Sequence, residues 1–142
     1  MKKRKTVVVM AIKPKYAEAI YAGKKFFEFR KAPPPVPGWV LIYESAPVSA
    51  ITGTVYLAMK IQGVPETVWK TVTGPLKCLG CAGITYKQFH DYTAGKKSVA
   101  ACACFFPERF EGAPFPLAKG IRPPQNWGRY ILRDESEASN AL

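Results

Sequence analysis

The chain has 142 residues and a mass of 15.7 kDa, with 48% hydrophobic and 22% charged residues, values of one globular domain that can bury a core. Its formal net charge is +11, and no apolar run reaches the roughly 20 residues a membrane-spanning helix needs. Composition argues against intrinsic disorder, and four clustered cysteines argue against a secreted disulfide framework.

The basic charge is crowded toward one end. Ten of the 21 Lys and Arg lie in residues 1–31, where Glu18 and Glu28 are the only acids. Lys and Arg gain free energy by displacing counterions from phosphates, so the crowding points to a polyanionic partner, RNA first and DNA second. The plainer alternative is that the lysines keep a small protein soluble.

Residues 1–5 (MKKRK) read as a basic arm, and residues 6–12 (TVVVMAI) as a buried strand. A basic head before an apolar run resembles a secretory signal. Lys13, Pro14 and Lys15 interrupt the run and no small-residue cleavage site follows, so a cytoplasmic location is expected. Pro14 opens a short helix, where its missing N–H costs nothing, and Gly23 stops it. Residues 26–31 alternate, with Phe27 and Phe29 on one face and Glu28 and Arg30 on the other. The proline-rich loop at 32–38 cannot be a central strand.

Strands follow at 39–43 and 49–61, with Gly53 as a bulge, then a helix at 65–73 ended by Gly74-Pro75. Thr85 caps a helix from Tyr86 to about Thr93, closed by Gly95. Residues 98–106 form a strand of small and apolar residues, 107–124 are irregular, and 127–133 form a last strand. Residues 134–142 are a disordered acidic tail, which leaves 6–133 as the folded domain. The pattern predicts an α+β fold: a small β-barrel of about five to six strands with short helices packed outside.

The order Lys13-Pro14, Gly23-x-Lys25-x-x-Glu28-x-Arg30, Ile42-Tyr43-Glu44-Ser45-Ala46-Pro47, followed by Gly83-Ile84-Thr85 and Pro123-Pro124-Gln125, resembles the ASCH domain family. The resemblance covers about residues 6–132. It implies a PUA-like barrel with a cleft at one mouth that binds RNA, in RNA metabolism or in regulation of transcription or translation. Lys13, Lys25, Glu28, Arg30, Ser45 and Gln125 are the residues it assigns to nucleic-acid binding. One branch of the family removes acetyl groups from a modified cytidine with a Lys, a Thr and a Glu. Here the Lys falls on Lys25, the Thr position holds Glu28, and the Glu position falls near Ala82, so that mechanism is not expected.

The local chemistry leaves alternatives open. Arg30 and Lys25 can grip a phosphate while Glu28 accepts hydrogen bonds from a base or ribose. As a hydrolase of RNA or of a modified nucleoside, the same chain would use Lys25 and Glu28, with Glu28 deprotonating a 2′-hydroxyl and Lys25 or Arg30 stabilising the charge. The bland reading is a surface pair that keeps one sheet face wet. Ser45 either projects into the cleft or bonds its own turn, and a regulatory module for a small ligand or a protein is the third function. Cys78-x-x-Cys81 with Cys102-x-Cys104 suggests zinc, but buried thiols are the preferred reading. Trp39, Trp69 and Trp127 are candidates to stack on bases, Trp127 foremost, and His90 reads as a surface or packing residue. No phosphate-cradling glycine loop or helical His-Glu pair is present, so no cofactor is expected.

Overall fold

The Val-rich run after the basic arm forms β1 (Lys5–Ile12), and it is apolar from Val7 onward because both of its faces are covered there. Met10 and Ile12 pack against a helix on the inner face, while Val7 and Val9 pack on the outer one. The computed structural model describes residues 5–74 and 82–132. In chain order the further elements are α1 (Pro14–Tyr21), β2 (Phe27–Arg30), β3 (Gly38–Glu44), β4 (Ala50–Gly63), α2 (Pro65–Thr73), α3 (Tyr86–Thr93), β5 (Val99–Arg109) and β6 (Trp127–Leu132). The strands form one sheet in the order β2-β5-β4-β3-β1-β6, with β1 and β3 parallel and the other neighbours antiparallel.

Pro14 is the first residue of α1, and Ala17 and Ile20 are its buried stripe against Val40, Ile42, Val55 and Leu57 of the inner face. Gly23 ends it at φ 71°, a left-handed conformation that costs glycine little. On the outer face Phe29, Val99 and Ala101 pack under α2 and α3, with the Phe29 and Phe89 rings edge to face at 5.0 Å. Further along that face, Phe110, Phe115 and Leu117 cover Val9, Tyr43 and Ile51. A capping box fixes the start of α3: Gln88 N–H donates to Thr85 Oγ1 at 3.1 Å and Thr85 N–H to Gln88 Oε1 at 2.9 Å.

The expected barrel is not formed. The sheet is open, with β2 and β6 as its two edges and no ladder between them among the described residues. The physical reason lies in the sequence just past β2, which stops after four residues and runs into Pro33, Pro34 and Pro35, prolines without an N–H to donate. Side chains span the gap instead. Arg30 donates from β2 to Ala11 O at 2.6 Å and to Asn126 Oδ1 at 2.7 Å, and Asn126 Nδ2 and Trp127 Nε1 donate back to Ala32 O at 2.7 and 3.1 Å.

Two boundaries also differ. Lys5 belongs to β1, paired with Leu132, and not to the arm. The β5 strand runs to Arg109, past Pro107, because a bulge at Phe106 (φ 51°) lets proline sit in the strand without breaking the ladder. Arg109 secures this extension by its ion pair with Glu44 at 2.9 Å and by lying 4.3 Å from the Tyr21 ring. Gly53 allows the close approach, since a side chain there would meet Glu108 O and Tyr21 Oη.

Candidate active-site cleft

A cleft of about 960 Å³ opens where β1 and β3 end, walled by α1, β2, α3 and residues 123–126. Lys13, Lys25, Glu28, Arg30, Ser45 and Gln125 all line it. The parallel pairing of β1 with β3 brings the ends of both strands to the same edge, so Lys13 and Ser45 become neighbours across 32 residues of sequence. Ser45 N–H donates to Ile12 O at 2.9 Å, and its hydroxyl reaches the same oxygen only at 3.5 Å.

Lys25 is the most enclosed charge in the cleft, with 2% of its surface exposed. Its Nζ donates to Ala82 O at 2.6 Å and lies 5.4 and 5.3 Å from the rings of Tyr16 and Phe29. Burial lowers its pKa from the ordinary 10.5, and the Glu28 carboxylate works in the opposite direction. Gly83, at φ 69°, lies so close to the Lys25 stem that any side chain there would overlap it. The position near Ala82, where the deacetylating branch has its Glu, therefore does touch Lys25, but through a backbone carbonyl.

Glu28 is 7% exposed, and its Oε2 has no hydrogen-bond partner among the described residues. The nearest cation geometry is an Arg30 Nη2 at 3.6 Å. Since both faces of β2 are buried, the reading of Glu28 and Arg30 as a solvated surface pair is set aside. A buried carboxylate oxygen left without a donor is costly unless something supplies one. Arg30 differs from the expectation: its two Nη atoms are committed to Ala11 O and Asn126, and Nε is the donor left without a partner among the described residues. It builds the cleft wall and adds charge, but does not present an open fork to a phosphate.

Sequence reasoning missed Tyr16, Lys15, Tyr92 and Asn126, which also line the cleft. Tyr16 read as the apolar side of α1, and Asn126 as part of a loop; the Pro-Pro-Gln-Asn-Trp run was the available signal for the latter. Tyr92 carries the Lys31 ammonium 4.4 Å over its ring. Trp127 and Trp69 are packing residues, the first tied to Ala32 O and the second stacked near Phe89, whereas Trp39 is exposed. His90 is exposed on α3 outside the cleft. Cys102 and Cys104 are buried thiols, and burial pushes Cys102 up to about 11 and Cys104 higher still. Cys78 and Cys81 lie outside the described residues, as do arm residues 1–4 and tail residues 133–142.

Fold and cleft together define a small α+β protein whose open mixed sheet holds a buried lysine and a carboxylate at one edge. The chain belongs to the ASCH domain family, whose pattern it matches over residues 10–113. It is similar to an ASCH domain-containing ribonuclease of Zymomonas mobilis, 30% identical over 95 residues, a match that covers 66% of this chain and 60% of that protein. The crystal structure of an ASCH protein from Zymomonas mobilis superposes with a TM-score of 0.73 at 26% identity, covering 93% of this chain and 91% of the other. A Ser-to-Ala variant of that protein gives 0.72 at the same identity, over 90% and 89% of the two chains.

Proposed function

We propose that the chain is a small hydrolase that cleaves single-stranded RNA in this cleft. The observation that carries the proposal is the buried Glu28 Oε2 without a hydrogen-bond donor, set beside Lys25 whose proton is loosened by burial. Similarity to a protein described as a ribonuclease supports it, and so does the charge of +11.

In this reading Glu28 accepts the proton of a ribose 2′-hydroxyl, and the 2′-oxygen attacks the adjacent phosphorus. The bond from phosphorus to the 5′-oxygen breaks, and Lys25 gives that oxygen its proton. The products are a 2′,3′-cyclic phosphate and a free 5′-hydroxyl. A lowered pKa makes the Lys25 ammonium a stronger acid for the departing oxygen, and the low dielectric around it strengthens its hold on the charged transition state. Lys13 and Lys15, exposed at the rim, meet the flanking phosphates, and Arg30 keeps Asn126 and the cleft wall in place.

The test is incubation with end-labelled single-stranded RNA and with DNA of the same sequence. RNA is cut to fragments ending in 2′,3′-cyclic phosphate, DNA is bound and left whole, and Glu28→Gln and Lys25→Met each slow cleavage by about 10²–10⁴-fold. RNA that stays intact with the wild-type chain overturns the hydrolase; salt-sensitive binding without product then identifies a binding module.

A further inference from the structure

The outer face of the sheet has two covers and a gap between them. Helices α2 and α3 lie over Phe29, Val99 and Ala101, while residues 110–117 lie over Val9, Tyr43 and Ile51. In the gap Trp39, Tyr56 and Phe105 stand rung to rung on adjacent strands β3, β4 and β5. The Trp39 and Tyr56 rings are 5.2 Å apart, and Trp39 and Phe105 are 56% and 49% exposed. The β5 bulge pushes out Phe106 as well, 6.1 Å from Phe105. Their chain neighbours Val40, Leu57 and Cys104 face the other way and are buried in the inner core, which does not include the three rings. Large exposed rings grouped in this way, Trp39, Phe105 and Phe106 around a half-buried Tyr56, mark a binding surface.

Charge decides the occupant. Lys5 is exposed at the start of β1, on the same face as Val7, and β1 runs parallel beside β3 where Trp39 begins it. In sequence Lys2, Lys3 and Arg4 lead into it, whereas Lys60, paired with Cys102, lies on the inner face. Glu108, opposite Thr54, sits one rung beyond the row. A second copy docked face to face would set these like charges against each other, whereas a polyanion with flat bases satisfies both the rings and the lysines.

We propose that Trp39, Tyr56 and Phe105 form a stacking platform for single-stranded RNA, separate from the cleft. From Trp39 along β3 to Ser45, just past the end of the strand, is about 20 Å at roughly 3.3 Å per residue. A strand of several nucleotides therefore reaches both places and a trinucleotide only one. The platform rests on RNA as the ligand, and not on whether RNA is cut.

The experiment is fluorescence anisotropy with a labelled 2′-O-methyl RNA of about 12 nucleotides and with a matching trinucleotide. The methylated sugar cannot attack phosphorus, so binding is read apart from cleavage. Trp39→Ala and Phe105→Ala each weaken binding of the long probe about tenfold, Trp39→Phe retains most of it, and trinucleotide binding is unchanged. Long-probe affinity equal in wild type and both alanine variants overturns the platform, as does a wild-type chain that does not bind it. Sedimentation showing a dimer that Trp39→Ala dissociates overturns it in favour of a second copy. Natural RNA bound through the row but left uncut sinks the hydrolase and leaves the platform standing.

Discussion

Lys25 shows how one residue couples stability to chemistry. Its amine is enclosed by Ala82 O and two aromatic rings, and burial lowers its pKa. The unfolded chain keeps a proton on Lys25 up to the ordinary 10.5, while the folded chain releases it at lower pH. The unfolded state thus binds more protons between the two values, and this group's contribution to stability rises with pH across that window. Urea unfolding of the wild type and Lys25→Met, compared from neutral pH to about 10.5, therefore gives a difference that grows in favour of the wild type. A difference that is flat or falls contradicts the assignment. Gly83→Ala tests the same contact from the other side. The substitution places an L-residue at φ 69°, at about 1–2 kcal/mol, and drives a methyl into the Lys25 stem. The proposed RNA cleavage then falls by more than the stability loss accounts for, because Lys25 must move to make room. Lys25 and Glu28 were legible as candidates in the sequence, but their burial was not. Alternation places Glu28 on the face opposite Phe29 without saying that α1 covers that face too.

At the scale of elements, the helices were legible to within a residue or two because their ends are set by local chemistry: Pro14, Gly23, Pro65 and the Thr85/Gln88 box. Thr85→Ala removes one cap, costs about 1 kcal/mol and lowers Tm by about 3 °C, with RNA binding in the cleft otherwise kept. The end of β5 and the edges of the sheet were not legible. Pro107 reads as a strand breaker, yet a bulge and the Arg109–Glu44 pair carry the strand past it. The β2 edge is joined to β1 and β6 by Arg30, Asn126 and Trp127 across 96 residues of chain, and no local pattern announces such a partner. Arg30→Met leaves Ala11 O and Asn126 Oδ1 without their donor and costs about 3 kcal/mol, readable as a lower urea midpoint. A variant as stable as the wild type would show that the edges are held by other contacts.

For the whole molecule, charge is the leading long-range property. Lys13 and Lys15 are exposed at the rim of the cleft, and each phosphate they neutralise releases counterions. The double variant Lys13→Ala/Lys15→Ala reduces the slope of log affinity against log salt by about 1.4 for single-stranded RNA. A slope unchanged from the wild type would place the strand away from this rim. Lys5, at the start of β1, lies at the opposite end of that strand from the cleft.

The sequence by itself determined the elements, the family and the residues drawn to the cleft, because caps, alternation and motif spacing are local and survive without tertiary contacts. It did not determine whether the sheet closes. That depends on what meets the β2 edge, and there prolines remove the N–H groups a ladder needs while Arg30 and Asn126 take over the bridging. Only the tertiary structure decided that Lys25 and Glu28 are buried, that Arg30 is committed to the wall, and that Trp39 rather than Trp127 faces solvent. Each of these turns on which distant segment covers a face, a fact carried by packing and not by any neighbour in the chain.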